Sequence, residues 1–233
     1  MRVQHQALAL NWLTPSELNG PRTLVIGSFN PCNPNEQSGL DYYYGRKKNH
    51  FWKSIARNMG QNEAYFFDIE SGLNRKIEIM SGNFCCLDAI NSIDFECEDT
   101  EILNNYLNQK VFGEFFDSTI FTTTKRFRGV KIKQTRNYNN SILELLSETN
   151  TIQRVINTMG NSRISDFNNI TPKERNVNPI GFRDFIRQII TICNEKGIYF
   201  DYNSFSPSQY AVNKGATTIQ NLDNWLRNSL NLP

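Results

Sequence analysis

TLVIGSFNP, residues 23–31, decides how the rest of the chain is read. Its apolar run, Thr23 to Phe29, follows the turn residues Asn19-Gly20-Pro21 and stops at Asn30-Pro31. A short apolar run between turn signals reads as a buried strand whose C-terminal end opens into a loop.

Working outward, NFCCLDAI (83–90), QRVINTM (153–159) and GIYFDYNSF (197–205) read as further strands. Helical periodicity lies between them. From Asn49 to Met59, the residues Phe51, Trp52, Ile55, Ala56 and Met59 recur at spacings of three and four. SILELLSE (141–148), FRDFIRQIITICNEK (182–196) before Gly197, and TTIQNLDNWLRNSL (217–230) are helical by the same rule. Strands alternating with helices predict an α/β fold, three layers α/β/α around a central, mostly parallel four-stranded sheet. STIFTTT (118–124) and VKIKQT (130–135) alternate and predict a basic β-hairpin insertion around 117–137, turning at Arg128-Gly129. With no repeat or linker, one domain over 1–233 is the simplest count. Ligands of such sheets bind at the carboxyl ends of the strands. The loops to inspect are therefore Ser28 to Asn49, the turn around Asp88, and Ser206 to Lys214.

Composition narrows the classes. Of 233 residues, 39% are hydrophobic and 12% aromatic, enough for a real core. The net charge of +2, from 25 basic and 23 acidic residues, does not mark a nucleic-acid binder. Any basic face must come from local clustering. No apolar run reaches the roughly 18 residues of a membrane helix, and MRVQHQALALNWLTP lacks a small-residue cleavage site. A cytoplasmic protein with no membrane partner is expected. Cys32, Cys85, Cys86, Cys97 and Cys193 form no CxxC pair or zinc spacing, so reduced thiols are expected. His5 and His50 are the only histidines, and no metal is predicted.

Three loops could carry chemistry. In GSFNP (27–31), Gly27 allows close backbone approach to a ligand, and Asn30 can orient a water by accepting its hydrogen bond. It is equally a common Asn-Pro turn, and neither a dinucleotide nor a phosphate-loop fingerprint. YYYGRKKNHFW (42–52) is too aromatic for an idle loop and too charged for a core. It either packs a helix or holds a flat ligand between rings and cations. SPSQYAVNKG (206–215) offers hydroxyls, a rigid bend and an exposed ring, or simply a turn before a helix.

Taken together, Gly27-Ser28-Phe29-Asn30-Pro31, Tyr43-Tyr44, Asn49-His50-Phe51-Trp52 and Pro207-Ser208-Gln209-Tyr210 resemble the motifs of the uracil-DNA glycosylase superfamily. The resemblance is nearest to the mismatch-specific and hypoxanthine-DNA glycosylase branches. CLDAINS (86–92) resembles their central strand-end segment, with Asp88 in the matching place. The resemblance spans 23–92 and 151–228 and is loose over 95–140. Departures are the insert CNPNEQSGLD (32–41), Ser206 in the late motif, and a tyrosine at position 210.

The resemblance implies a monofunctional, metal-independent DNA glycosylase of base-excision repair. It would flip a deaminated or mismatched base, uracil or hypoxanthine, out of single- or double-stranded DNA and hydrolyse its N-glycosidic bond. Asn30 or Asn49 would be the catalytic residue, with Asn49 also suited to cap a helix. Gly27, Ser28, Tyr44, Asp88 and Ser208 would line the base site, Tyr44 as the stacking ring. Asp88 would orient a pocket amide or cap the next turn. Pro207, Gln209 and Tyr210 would meet the duplex, Tyr210 in the wedge position. Arg46, Lys47, Lys48, Arg128, Lys131, Lys133 and Lys214 would track phosphates, although a charged hairpin also protects a sheet edge. No iron–sulfur cluster or cofactor is expected, and a monomer is. The alternatives are a non-catalytic base- or nucleic-acid-binding module of the same fold, and a small-molecule nucleoside hydrolase.

Overall fold

The structure is a computed structural model that describes residues 1–34, 40–113, 124–160 and 181–232. In chain order its elements are strand β1 (Arg2–Gln4), helix α1 (Gln6–Ala9), β2 (Thr23–Gly27), α2 (Phe51–Asn58), α3 (Gly72–Met80), β3 (Phe84–Asp88), β4 (Ile90–Glu96) and α4 (Thr100–Tyr106). They continue with β5 (Thr124–Phe127), β6 (Val130–Tyr138), α5 (Ser141–Glu148), β7 (Arg154–Asn157), α6 (Phe182–Lys196), β8 (Tyr199–Ser204), α7 (Gln209–Asn213) and α8 (Ile219–Leu230). The fold is mixed α/β with two four-stranded sheets.

The first sheet has the order β3-β2-β7-β8, and every pairing in it is parallel. All of β2 and β3 is buried, as a sheet covered on both faces requires. That is why TLVIG and FCCLD are apolar runs without alternation. From β2 the chain steps to β3 on one side, then crosses to β7 on the other. The direction of winding thus reverses between β2 and β7, where α/β sheets form their ligand crevice.

Helix α2 carries Phe51, Trp52 and Ile55 into the core with no exposure. It packs on α8, and the Arg57 guanidinium clasps both Asp223 oxygens at 2.8 and 2.6 Å. Helix α6 ends at Gly197 in the left-handed region (φ 68°), a standard glycine stop.

The second sheet, β1-β4-β6-β5, is antiparallel and goes beyond the single sheet and hairpin expected from the sequence. The expected hairpin is real at Arg128-Gly129: φ is 49° and 82° there, as a two-residue type I′ turn requires. It is half of a sheet completed by β4 and by the distant β1, not a free-standing insertion. Of STIFTTT, only Thr124 lies within the described residues. One face of this sheet covers its own apolar cluster, including Ile93, Phe95, Tyr106, Val111 and Ile132. Only Ala89 separates β3 from β4, so the two sheets join at Asp88. Among the described residues no helix is long and apolar enough to cross a membrane.

Candidate active site

The site is built on the C-terminal ends of β3, β2 and β7. Gly27 pairs with Asp88, and Ile26 pairs with Asn157, so Gly27 lies in one row with Asp88 and Thr158. Residues in one row across neighbouring strands share a face of the sheet. Gly27 is the low point of this row. A Cβ added there would collide with Asp88 Oδ1 and stand 2.8 Å from the Tyr44 hydroxyl. Glycine is required because the carboxylate and the phenol already occupy that space.

Tyr44 reaches over the row from the loop before α2. Its hydroxyl bonds the Thr158 hydroxyl at 2.9 Å, and its ring stacks on Phe51 with centroids 4.3 Å apart. The residue sits at φ 58°, a left-handed conformation that costs a bulky side chain about 1–2 kcal/mol. Gly45 accepts the crowding at the next position, since a Cβ there would meet the Tyr42 carbonyl at 2.8 Å. Burial, then the charge of Asp88, holds the Tyr44 phenol well above its ordinary pKa, so it remains a neutral donor.

Asp88 is held by His5, a residue that the sequence marked only as an improbable metal ligand. The Ala7 amide donates to His5 Nδ1 at 2.9 Å. The ring proton therefore sits on Nε2, which donates to Asp88 Oδ2 at 2.7 Å. Trp12, Phe29 and Tyr43 surround the imidazole. The Asp88 carbonyl accepts from Asn139 Nδ2 at 3.0 Å, tying the end of β6 to the same corner.

Asn30 lies beside this row with its amide engaged on both sides. Nδ2 donates to Gln6 Oε1 at 2.6 Å, and Oδ1 accepts from Arg46 at 3.0 Å. Because guanidinium only donates, the amide orientation is fixed. Asn49 instead spends its side chain on the helix start: Oδ1 accepts from the Phe51 amide at 2.8 Å. The N-cap position of α2 is His50, so Asn49 sits one residue before the cap it was expected to provide and braces the helix start from there.

The late motif meets the aromatic loop. The His50 amide donates to the Pro207 carbonyl at 2.8 Å, and His50 Nε2 bonds Gln209 Oε1 at 3.2 Å. Burial lowers the His50 pKa below its ordinary value, and Nδ1 is buried without a partner among the described residues. Pro207 is buried, and Ser208 caps α7 by accepting from Ala211. Tyr210 is 57% exposed with the Lys214 ammonium 6.0 Å above its ring, which suits a surface-contacting ring. Ser28 accepts from the Ile90 amide through its carbonyl.

The structure thus gathers Gly27, Tyr44, Asp88 and, beside them, Asn30 and Arg46. His5, Gln6 and Thr158 join them without having been foreseen. Scans of the chain against protein-family models, curated proteins and solved structures returned no match. A functional reading of this protein therefore rests on its geometry and on its motifs.

The cations fall into two groups. Arg46, Lys47 and Lys48 are exposed close to the strand ends. Arg128, Lys131 and Lys133 are not part of the site. β6 meets the Asp88 corner at its C-terminal end, so a rise of about 3.4 Å per residue puts Lys131 roughly 24 Å away. Lys133 is also paired to Glu96 at 2.9 Å. Arg126 stands directly opposite Lys131, both exposed, an arrangement of like charges that costs stability without an anionic partner.

Proposed function

We propose that this protein is a monofunctional DNA glycosylase that hydrolyses the N-glycosidic bond of a flipped uracil or hypoxanthine. In this reading the fold is a single three-layer α/β/α domain of the uracil-DNA glycosylase type, acting as a cytoplasmic monomer. The observation that carries it is the convergence of Gly27, Tyr44 and Asp88 at the C-terminal ends of β2 and β3, with Thr158 after β7 tying Tyr44 down and the late motif docked on the aromatic loop through His50 and Pro207.

Each part has a task that the chemistry requires. Extruding a base costs a few kcal/mol of stacking and pairing. A ring at the floor of a pocket recovers about 1–3 kcal/mol per base, and Tyr44 is braced for that role by Phe51 and Thr158. Gly27 leaves room for the Asp88 carboxylate and the Tyr44 hydroxyl to stand side by side. As the glycosidic bond breaks, positive charge develops on the sugar and negative charge on the leaving base. A carboxylate answers the first charge, and amide and phenol donors answer the second. Tyr44, kept neutral, is one such donor; Asn30 Nδ2 is another once the ligand displaces Gln6. Exposed Arg46, Lys47 and Lys48 beside the crevice supply phosphate contacts.

One observation favours the second reading, a non-catalytic base-binding module of the same fold. Both asparagines named by the motifs are already engaged, Asn30 with Gln6 and Arg46, Asn49 with the Phe51 amide. Incubation with fluorescent oligonucleotides carrying uracil, hypoxanthine, xanthine or thymine, single-stranded and opposite each base, separates the two. Alkali-labile breaks at the modified base support the glycosylase. Duplex binding without breaks at stoichiometric protein supports the binding module.

A further inference from the structure

We propose that Asp88, oriented by His5, is the carboxylate that takes the proton of the attacking water. This inference rests on the glycosylase reading and adds to it a catalytic residue outside the two asparagines.

The two oxygens of Asp88 are held unequally. Oδ2 accepts from His5 Nε2 at 2.7 Å. The imidazole is 3% exposed and is itself fixed through Nδ1 by the Ala7 amide, so Oδ2 cannot turn away. A neutral imidazole donating one hydrogen bond leaves the carboxylate its charge. Oδ1 has no hydrogen-bond partner among the described residues, and the side chain keeps 9% exposure. It is poised over Gly27, next to the Tyr44 hydroxyl.

The neighbours reinforce this assignment. The Tyr43 and Tyr44 phenols and the Cys86 thiol are all pushed upward by burial and by the Asp88 charge, so none of them competes as an anion. The asparagines cannot accept a proton at neutral pH, whereas a carboxylate can.

The step balances within the site. The water oxygen bonds to C1′ as the C1′–N bond breaks, and the bonding pair leaves with the base. The water proton passes to Asp88 Oδ1, and the departing base gains a proton from solvent or from Asp88 as the site resets. In the same position the carboxylate faces the cationic sugar of the transition state. His5 acts as a positioning residue: it sets which oxygen is held and which is free.

Asp88→Asn tests this without emptying the corner, because the amide oxygen still accepts from His5 while the free oxygen becomes an NH2. Single-turnover cleavage of a uracil or hypoxanthine duplex should fall at least about 100-fold, with the thermal midpoint nearly unchanged. His5→Leu should lose rate, and His5→Gln, which keeps a donor, should recover most of it. A second readout needs no turnover. Wild-type protein should bind a duplex carrying a cationic pyrrolidine abasic analogue at least about 10-fold tighter than one carrying neutral tetrahydrofuran, and Asp88→Asn should lose that preference. Cleavage unchanged in Asp88→Asn overturns the role of Asp88 and leaves the glycosylase standing. A wild type without preference for the cation overturns it as well. A cation preference that vanishes in Asp88→Asn, in a wild type that cleaves no substrate, supports Asp88 as the anionic subsite and overturns the glycosylase reading.

Discussion

The two sheets of this molecule follow opposite rules. The parallel sheet buries β2 and β3 on both faces and carries the candidate site at their C-terminal ends. The antiparallel sheet buries one face and turns Arg126, Lys131 and Lys133 outward. Buried strands tolerate little, so a polar exception at a strand end, such as Asp88 at 7% exposure, is a candidate for a functional residue. Exposed strand faces tolerate much, and there only an uncompensated pattern, such as Arg126 across from Lys131, is informative.

If the parallel sheet is the rigid floor of the site, the largest effect should come from its supports. Phe51→Ala removes a fully buried ring that also backs Tyr44. It should cost about 3–5 kcal/mol in urea unfolding. A cost below about 1 kcal/mol would mean that Tyr44 is held by something else.

The same contrast explains which elements are legible in the sequence. Thr23–Gly27, Phe84–Asp88, Arg154–Asn157 and Tyr199–Ser204 all lie within the runs read as strands; in the first two, double-sided burial writes itself as uninterrupted apolar sequence, whereas Tyr199–Ser204 is half exposed. Ser141–Glu148 and Phe182–Lys196 show the helical period over their whole length. β1 and β4 left no such trace. Their pairing, Arg2 with Asp94, spans distant parts of the chain, and β4 alternates through Asn91 and Asp94 like any polar loop. The site was legible in part for a related reason. Gly27 and Asp88 end apolar strand runs and Tyr44 stands out in an aromatic loop, while His5 reaches Asp88 only through tertiary contact and Thr158, although it follows β7, carried no motif.

Gly27→Ala should have the next largest effect. Its Cβ must displace Asp88 Oδ1 or the Tyr44 hydroxyl, so overpacking should cost about 1–3 kcal/mol in thermal or urea unfolding. Loss of base-dependent binding should accompany it. Unchanged stability and binding would show that the row is looser than its contacts imply.

Acid should act on the joint between the aromatic loop and the late motif. Burial lowers the His50 pKa from 6.5, so below that value the unfolded chain binds more protons than the folded one. The stability contribution is whole above pH 6.5 and declines as pH falls. Comparing unfolding midpoints from pH 7.5 down to about 5, His50→Gln should decline less steeply than wild type. Parallel curves would place the acid sensitivity elsewhere.

The smallest effect on stability should come from the hairpin. Lys131→Ala should change unfolding by no more than about 0.5 kcal/mol, with a slight gain where it relieves Arg126. If the hairpin touches phosphate, the salt dependence of duplex binding should flatten by about 0.9 in log–log slope. An unchanged slope would assign the outward cations to edge protection alone.

Photocrosslinking with a duplex carrying 5-iodouracil opposite guanine tests most directly the claim that a base enters the crevice of the parallel sheet. Trypsin cuts at Arg22 and Arg46 and releases residues 23–46, which contain both Gly27 and Tyr44. A base seated at the strand ends predicts the crosslink on that peptide, at Tyr44. A crosslink confined to residues 124–138 of the hairpin would contradict it.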